Sequence, residues 1–212
     1  MATYTTTKLA SGQTRISVHD WRNSDILGYI DAENNTLIHT MEQLVAAGSV
    51  LDYIDLRDVD LTKAKLEGLI ANCGNFDGAI MAFAKLNGSK LNAATIRYAN
   101  LYCAKASNCE MMDCLLEDTD ADQIKLNNSR MQGASLVRST FKNARINYAK
   151  LQRTNCEDAN FSSCELFATK LHGGKFYGAN MHGAKMNELL AKGATPMSVF
   201  DDVIYITRDA AA

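Results

Sequence analysis

From Leu51 onward, apolar and polar positions follow one another with a period of five. Of the 28 residues reached by stepping five at a time from Leu51 to Met186, 24 are Leu, Met, Phe or Ile. Two residues before each of them, a small residue (Ala, Ser, Thr, Cys or Gly) fills 24 of the 28 positions, as at Ala79, Ala94, Ala134 and Ala184. A strict period of five matches neither the 3.6 of a helix nor the 2 of an extended strand. Each unit must therefore turn a corner, with its large and its small apolar residue on the same inner side. Two exceptions compensate each other: Ala71 is small where a large residue is expected, and Leu69 is large where a small one is. Ile54 and Val59 break the small-residue rule only in the first turn of the pattern, where a covering element changes the packing.

Units such as Tyr98-Ala99-Asn100-Leu101, Asp158-Ala159-Asn160-Phe161 and Gly178-Ala179-Asn180-Met181 resemble the pentapeptide-repeat family, whose pattern is Ala, then Asp or Asn, then Leu or Phe. The resemblance runs through 28 units without a phase slip, about two thirds of the chain. It implies an all-β solenoid, a right-handed quadrilateral β-helix with four pentapeptides to a coil and three of every five residues facing out. Residues 51–190 would give about seven coils, and at ~4.8 Å per coil a rod roughly 34 Å long.

An open β-helix exposes unpaired strand edges and an apolar bore, so both ends need covers. Residues 1–50 read as a mixed N-terminal capping segment: a short strand over 14–18, then a helix on the pattern Leu37, Met41, Leu44 and Val45. That helix is expected to start at Asn34 or Asn35 and to stop at Gly48, with Trp21 in the small core of the cap. Pro196 ends the coil, and residues 191–212 form a short C-terminal cap or a dimerisation segment. Its candidate contacts are Val199, Phe200, Val203, Ile204, Tyr205 and Ile206, and in several members of the family this end joins two rods.

The chain is 47% hydrophobic with a formal charge of −2, which excludes disorder and a globally basic or acidic protein. No secretory leader pattern and no run of ~18 apolar residues is present, so a cytoplasmic location, or a particle assembled there, is expected. Six cysteines show no metal-ligand spacing: Cys109, Cys114, Cys156 and Cys164 fall on inward positions, Cys73 and Cys103 face out on opposite sides. His172 and His182 also lie on opposite sides, and His19 and His39 lack an obvious partner. The segment His172-Gly173-Gly174 carries no phosphate-binding motif. The expectation is that the protein is not an enzyme and uses no cofactor and no metal.

Charge, sorted by side, is the most informative outward pattern. Immediately before the large residue of the fourth side stand Lys65, Lys85, Lys105, Lys125, Arg145, Glu165 and Lys185, six of seven basic. The first side adds Lys90, Arg130, Lys150 and Lys170; the third-side row, from Asp60 to Asn180, has no base. Acids cluster along the chain at Glu110, Asp113, Glu117, Asp118, Asp120 and Asp122. The reading this supports is a non-catalytic protein-binding scaffold with flat faces, including use as a repeated component of a larger assembly such as a virus particle. Its partner is another protein, with a homodimer through the C-terminal segment, no membrane, and nucleic acid disfavoured because the basic row lacks interleaved aromatics. The family's quinolone-resistance and gyrase-binding members, acidic rods that occupy the DNA site of type II topoisomerases, give the alternative. Here the repeats are nearly neutral, with 17 basic and 16 acidic residues over 51–190. Binding of a polyanion by the basic face is the second alternative.

Overall fold

The computed structural model describes residues 3–186 and the strand Ile204–Tyr205. The first 50 residues build a three-stranded antiparallel sheet, β1 (Tyr4–Lys8), β2 (Thr14–His19) and β3 (Ile26–Ala32) in the order β1-β2-β3, followed by helix α1 (Leu37–Ala46). Ile16 and Val18 of β2 and Leu37, Met41 and Leu44 of α1 are buried together, the amphipathic stripe finding its partner in the sheet. The helix starts one residue later than the sequence suggests. Thr36 is the N-cap, its Oγ1 accepting the His39 N–H at 3.1 Å. Asn35 is engaged elsewhere: its amide donates to the Ile30 carbonyl at 2.7 Å and its Oδ1 accepts from Thr40, which ties the helix to the sheet. Gly48 follows the helix with φ +70°, as the stop requires.

Trp21 is not in the core of this unit. It is 46% exposed, and its indole N–H reaches across to the Cys73 carbonyl at 2.7 Å. Beside it, the Trp21 N–H donates to the Tyr53 carbonyl, the Asp55 N–H donates to the His19 carbonyl, and Asp20 bridges Ile54. The tryptophan thus clips the N-terminal sheet to the start of the solenoid.

From Leu51 each pentapeptide repeats one geometry. In most units the N–H three residues after the large residue donates back to its carbonyl, as in Ala64 to Leu61 at 3.0 Å, closing a type II turn, whereas those of Cys109 and Thr119 donate to the Ser129 and Ser139 hydroxyls of the next coil at 3.1 Å. Every fifth residue from Tyr53 to Gly183 has a φ between +54° and +81°, and 20 of those residues are not glycine. A left-handed residue with a Cβ costs on the order of 1 kcal/mol. What offsets that cost is the ladder between coils: parallel bridges join residue i to i+20 from Val50↔Ile70 to Asn160↔Asn180. Each bridging residue donates to the coil before and its neighbour to the coil after, as with Lys90 N–H to Leu69 and Leu91 N–H to Glu110. Four pentapeptides therefore make one coil, and the molecule is a four-sided β-helical solenoid. At the far end β4 (Glu165–Leu166), β5 (Lys185–Met186) and β6 (Ile204–Tyr205) pair in parallel in that order.

The bore holds the large and small inward residues, nearly all fully buried. Phe141 stacks on Phe161 at 5.2 Å between ring centroids, and Phe161 meets Phe176 at 6.2 Å. Gly174 is small for a reason, since a Cβ there would lie 2.7 Å from the Phe176 ring. Ala106 leaves an apolar gap lined by Leu86, Leu101 and Met111, and Ile124, large at a small position, faces it. Polar residues at the small positions follow one rule, with Thr154 the exception, its hydroxyl donating to the Leu151 carbonyl three residues back at 2.8 Å. Ser89, Ser129, Thr119, Ser139, Thr169, Cys109, Cys114 and Cys164 each donate to the carbonyl 23 residues earlier, for example Ser129 to Ala106 at 2.8 Å. A hydroxyl or thiol thereby enters an apolar bore without an unmet donor.

Candidate binding surface

The bridges sort the outward residues into four sides, numbered in chain order from the unit around Leu51. On side 4 the ladder reads Lys65, Lys85, Lys105, Lys125, Arg145, Glu165, and then Lys185 through β4 and β5. Stacking like charges at the ~4.8 Å coil spacing is unfavourable unless the side chains splay into water. Arg145 has an ion-pair partner, Glu165, at 3.6 Å. Among the described residues Lys85, Lys105 and Lys125 have none. Beside the row stand Asn87, Ser107, Asn127 and Asn147. Asn127 accepts the Asn147 N–H at 3.0 Å, and Asn147 accepts the Phe167 N–H at 2.8 Å, so these side chains are spent on the ladder. Between Lys85 and Arg145 side 4 is basic with uncharged neighbours and no carboxylate.

Side 2, directly opposite, handles charge differently. Arg57 pairs with Asp55 at 2.7 Å, Arg97 with Asp77 at 2.6 Å and Arg138 with Asp118 at 2.5 Å, the last two across adjacent coils. The Arg138 guanidinium holds the Asp118 carboxyl below the usual carboxylate range. Side 1 carries Lys90, Arg130, Lys150 and Lys170 as read from the sequence, but Glu110 sits between the first two. The acidic run disperses: Glu110 and Asp113 lie on side 1, Glu117 and Asp118 on side 2, Asp120 and Asp122 on side 3. A cluster in the chain is not a patch on the surface.

Two aromatic pairs border side 4, and the sequence reading missed both. At its edge with side 3, Phe83 meets Tyr102 edge-to-face at 5.6 Å; at its edge with side 1, Tyr148 meets Phe167 at 5.5 Å. Phe83 is 47% and Tyr148 54% exposed. The basic row itself has no aromatic member, but its margins do.

The other singled-out residues stay apart. His172 and His182 are exposed on sides 1 and 3, and the His19 ring sits between the Thr5 hydroxyl and the Ser24 carbonyl, each at 3.0 Å. Gly173 takes one of the positive-φ turn positions. Cys73 and Cys103 are half-buried on sides 1 and 3, whereas Cys109, Cys114, Cys156 and Cys164 are buried. Burial pushes the Cys109 thiol up to about 11 and those of Cys114, Cys156 and Cys164 up to about 12, so all four stay protonated and unreactive at neutral pH. Of the C-terminal candidates, Val199, Phe200, Val203 and Ile206 lie outside the described residues, as does Pro196. Ile204 and Tyr205 form β6 against β5. Among the described residues no helix is long and apolar enough to cross a membrane.

Among known proteins, no curated sequence matches the chain. The family model for pentapeptide repeats matches residues 144–183 in eight copies. Similar solved structures include the pentapeptide-repeat protein Rfr23 from the cyanobacterium Cyanothece 51142, 19% identical, with a TM-score of 0.34. That match covers 55% of this chain and 64% of Rfr23, just under two thirds of it. Another is HetL from the cyanobacterium Nostoc sp. strain PCC 7120, a pentapeptide-repeat protein involved in heterocyst differentiation regulation: 22% identity, 66% of this chain, 83% of HetL, TM-score 0.35. A third is QnrB1, a plasmid-mediated fluoroquinolone resistance protein, at 12% identity, 76% of this chain, 87% of that one and a TM-score of 0.49. Residues 144–183 are thus pentapeptide repeats by the family's model, and the same five-residue turn geometry runs back to Tyr53.

Proposed function

We propose that the chain is a non-catalytic scaffold that binds an acidic protein surface through side 4. In this reading the N-terminal sheet and helix cap one end of the rod, and residues 191–212 cap or join the other. The observation that carries it is the run Lys85, Lys105, Lys125 and Arg145, held in register by the backbone and flanked by uncharged side chains. Like charges aligned this way cost free energy by repulsion, and carboxylates facing them offset that cost. An acidic rod that imitates a DNA duplex is poorly supported, because the repeats are nearly neutral overall and three of the seven carboxylates of side 2 are matched by arginines. The test is capture of partners by the full chain against K85E/K105E/K125E. Loss of the specific partners from the variant supports side 4 as the binding face, and their retention overturns it. A supercoiling assay at micromolar protein is expected to show neither inhibition of a type II topoisomerase nor its protection.

A further inference from the structure

We infer that the acidic surface taken by side 4 is side 2 of a second copy of this chain, so that rods stack laterally through opposite sides. This rests on the reading of side 4 as a binding face. Among the described outward residues, side 4 carries six bases and two acids, while side 2 carries seven acids and four bases. The three arginines of side 2 are occupied by Asp55, Asp77 and Asp118. What side 2 still offers is Asp58, Glu117, Glu157 and Asp158 against the one remaining base, Lys175, none of the five with an ion pair among the described residues. Opposite sides of one rod thus present opposite free charge, and a copy displaced sideways brings the two together.

Spacing favours a copy over an unrelated acidic partner. The bases of side 4 repeat at the coil pitch of ~4.8 Å, and so do the rungs of side 2, because both belong to one ladder. Two such faces stay commensurate along their whole length, whereas carboxylates at alternate residues of an extended strand repeat at ~6.6 Å and those on successive helical turns at ~5.4 Å. Apolar anchors complement the charge: Tyr98, 66% exposed on side 2, and Phe83 and Tyr148 at the margins of side 4. The area is sufficient, since one side of four on a molecule exposing 10081 Å² exceeds the ~800 Å² per partner of a standard interface. The contact joins two different sides and therefore does not close on itself; it builds an open row.

The test uses sedimentation of the full chain at about 100 µM, in about 20 mM and about 500 mM salt. Low salt is expected to give species larger than the 23.2 kDa monomer, and high salt the monomer. Two neutralising variants, K105Q/K125Q and E117Q/E157Q, checked for unchanged thermal unfolding, are each expected to be monomeric at low salt. Mixed, they are expected to form a one-to-one complex that grows no further, because each contributes its one intact side. Wild type that stays at 23.2 kDa, association that neither variant reduces, or a mixture that does not pair overturns the inference. Monomeric wild type whose captured partners still depend on Lys105 and Lys125 removes self-stacking and leaves side 4 as a binding face; partners indifferent to both residues remove both readings. A labelled dT20 oligonucleotide bound in place of self-association assigns side 4 to nucleic acid and overturns the inference as well.

Discussion

Sides 2 and 4 share a backbone, a register and a bore, and they handle charge in opposite ways. Side 2 places arginines beside or one coil above aspartates, so three of its seven carboxylates are neutralised within the rod. Side 4 aligns five bases, from Lys65 to Arg145, and gives a carboxylate to the last of them. Both arrangements survive because neither sets the fold. Exposed pairs contribute ~0.2–1 kcal/mol and repulsion among splayed lysines is of similar size, while inter-coil hydrogen bonds and inward side chains are common to both sides. The outward rows are free of structural duty, so what they carry is open to what each side meets.

The largest test of that equality replaces a fully inward leucine on each side. Leu116→Ala on side 2 and Leu126→Ala on side 4 should each cost about 2–5 kcal/mol in urea unfolding, and a much smaller loss on one side would show that the bore does not back both alike. Next come the turn glycines. Gly88→Ala on side 4 adds a Cβ into open space at φ +72° and should cost about 1 kcal/mol. Gly78→Ala on side 2 should cost more, since its Cβ falls 2.1 Å from Asp58 Oδ1, and adding Asp58→Ala should return the loss to the Gly88→Ala level.

Alkaline pH should erode both sides equally. Cys114 on side 2 and Cys164 on side 4 have folded values raised to about 12 by burial. Their contribution is full below the ordinary thiol value of about 8.5 and is lost as pH rises toward the folded value, because the unfolded chain ionises first. Melting from about pH 8 to about pH 10 should show a falling Tm, and Cys114→Ala or Cys164→Ala should each remove a similar part of the slope. The smallest effects separate the sides by sign: Arg138→Ala should destabilise and Lys125→Ala should slightly stabilise, each by less than ~1 kcal/mol, with the difference fading at high salt.

The inner half of the molecule was legible in the sequence because an inward position is a property of each five-residue unit alone. Ala71 with Leu69 could be matched by eye for the same reason. What escaped needed a second coil or a second element. Phe83 with Tyr102 and Tyr148 with Phe167 are pairs 19 residues apart, one coil up and one position back, and no five-residue pattern reveals them. The i−23 bonds of Ser129 and Cys114 are of the same kind. Near the N-terminus Asn35 had two uses open to it, and the carbonyl of β3 claimed it before the helix did. Trp21 looked like a core residue because its hydrogen-bond partner, Cys73, lies 52 positions away. The basic row of side 4 was legible as a row; its isolation from carboxylates became visible only once the acidic run was dealt out to three different sides.

The bridge from each residue to the one 20 positions on also makes the rod an indexing device. Five residues are a quarter turn and 20 a full one. Adding or removing 20 lengthens or shortens the column with every side still in line. Adding five rotates everything beyond that point by a quarter turn, so that Lys105 and Lys125 would continue into the row of a neighbouring side. Length varies in whole coils without changing what any side displays, whereas a single inserted unit would reassign all four sides at once while leaving the bore intact.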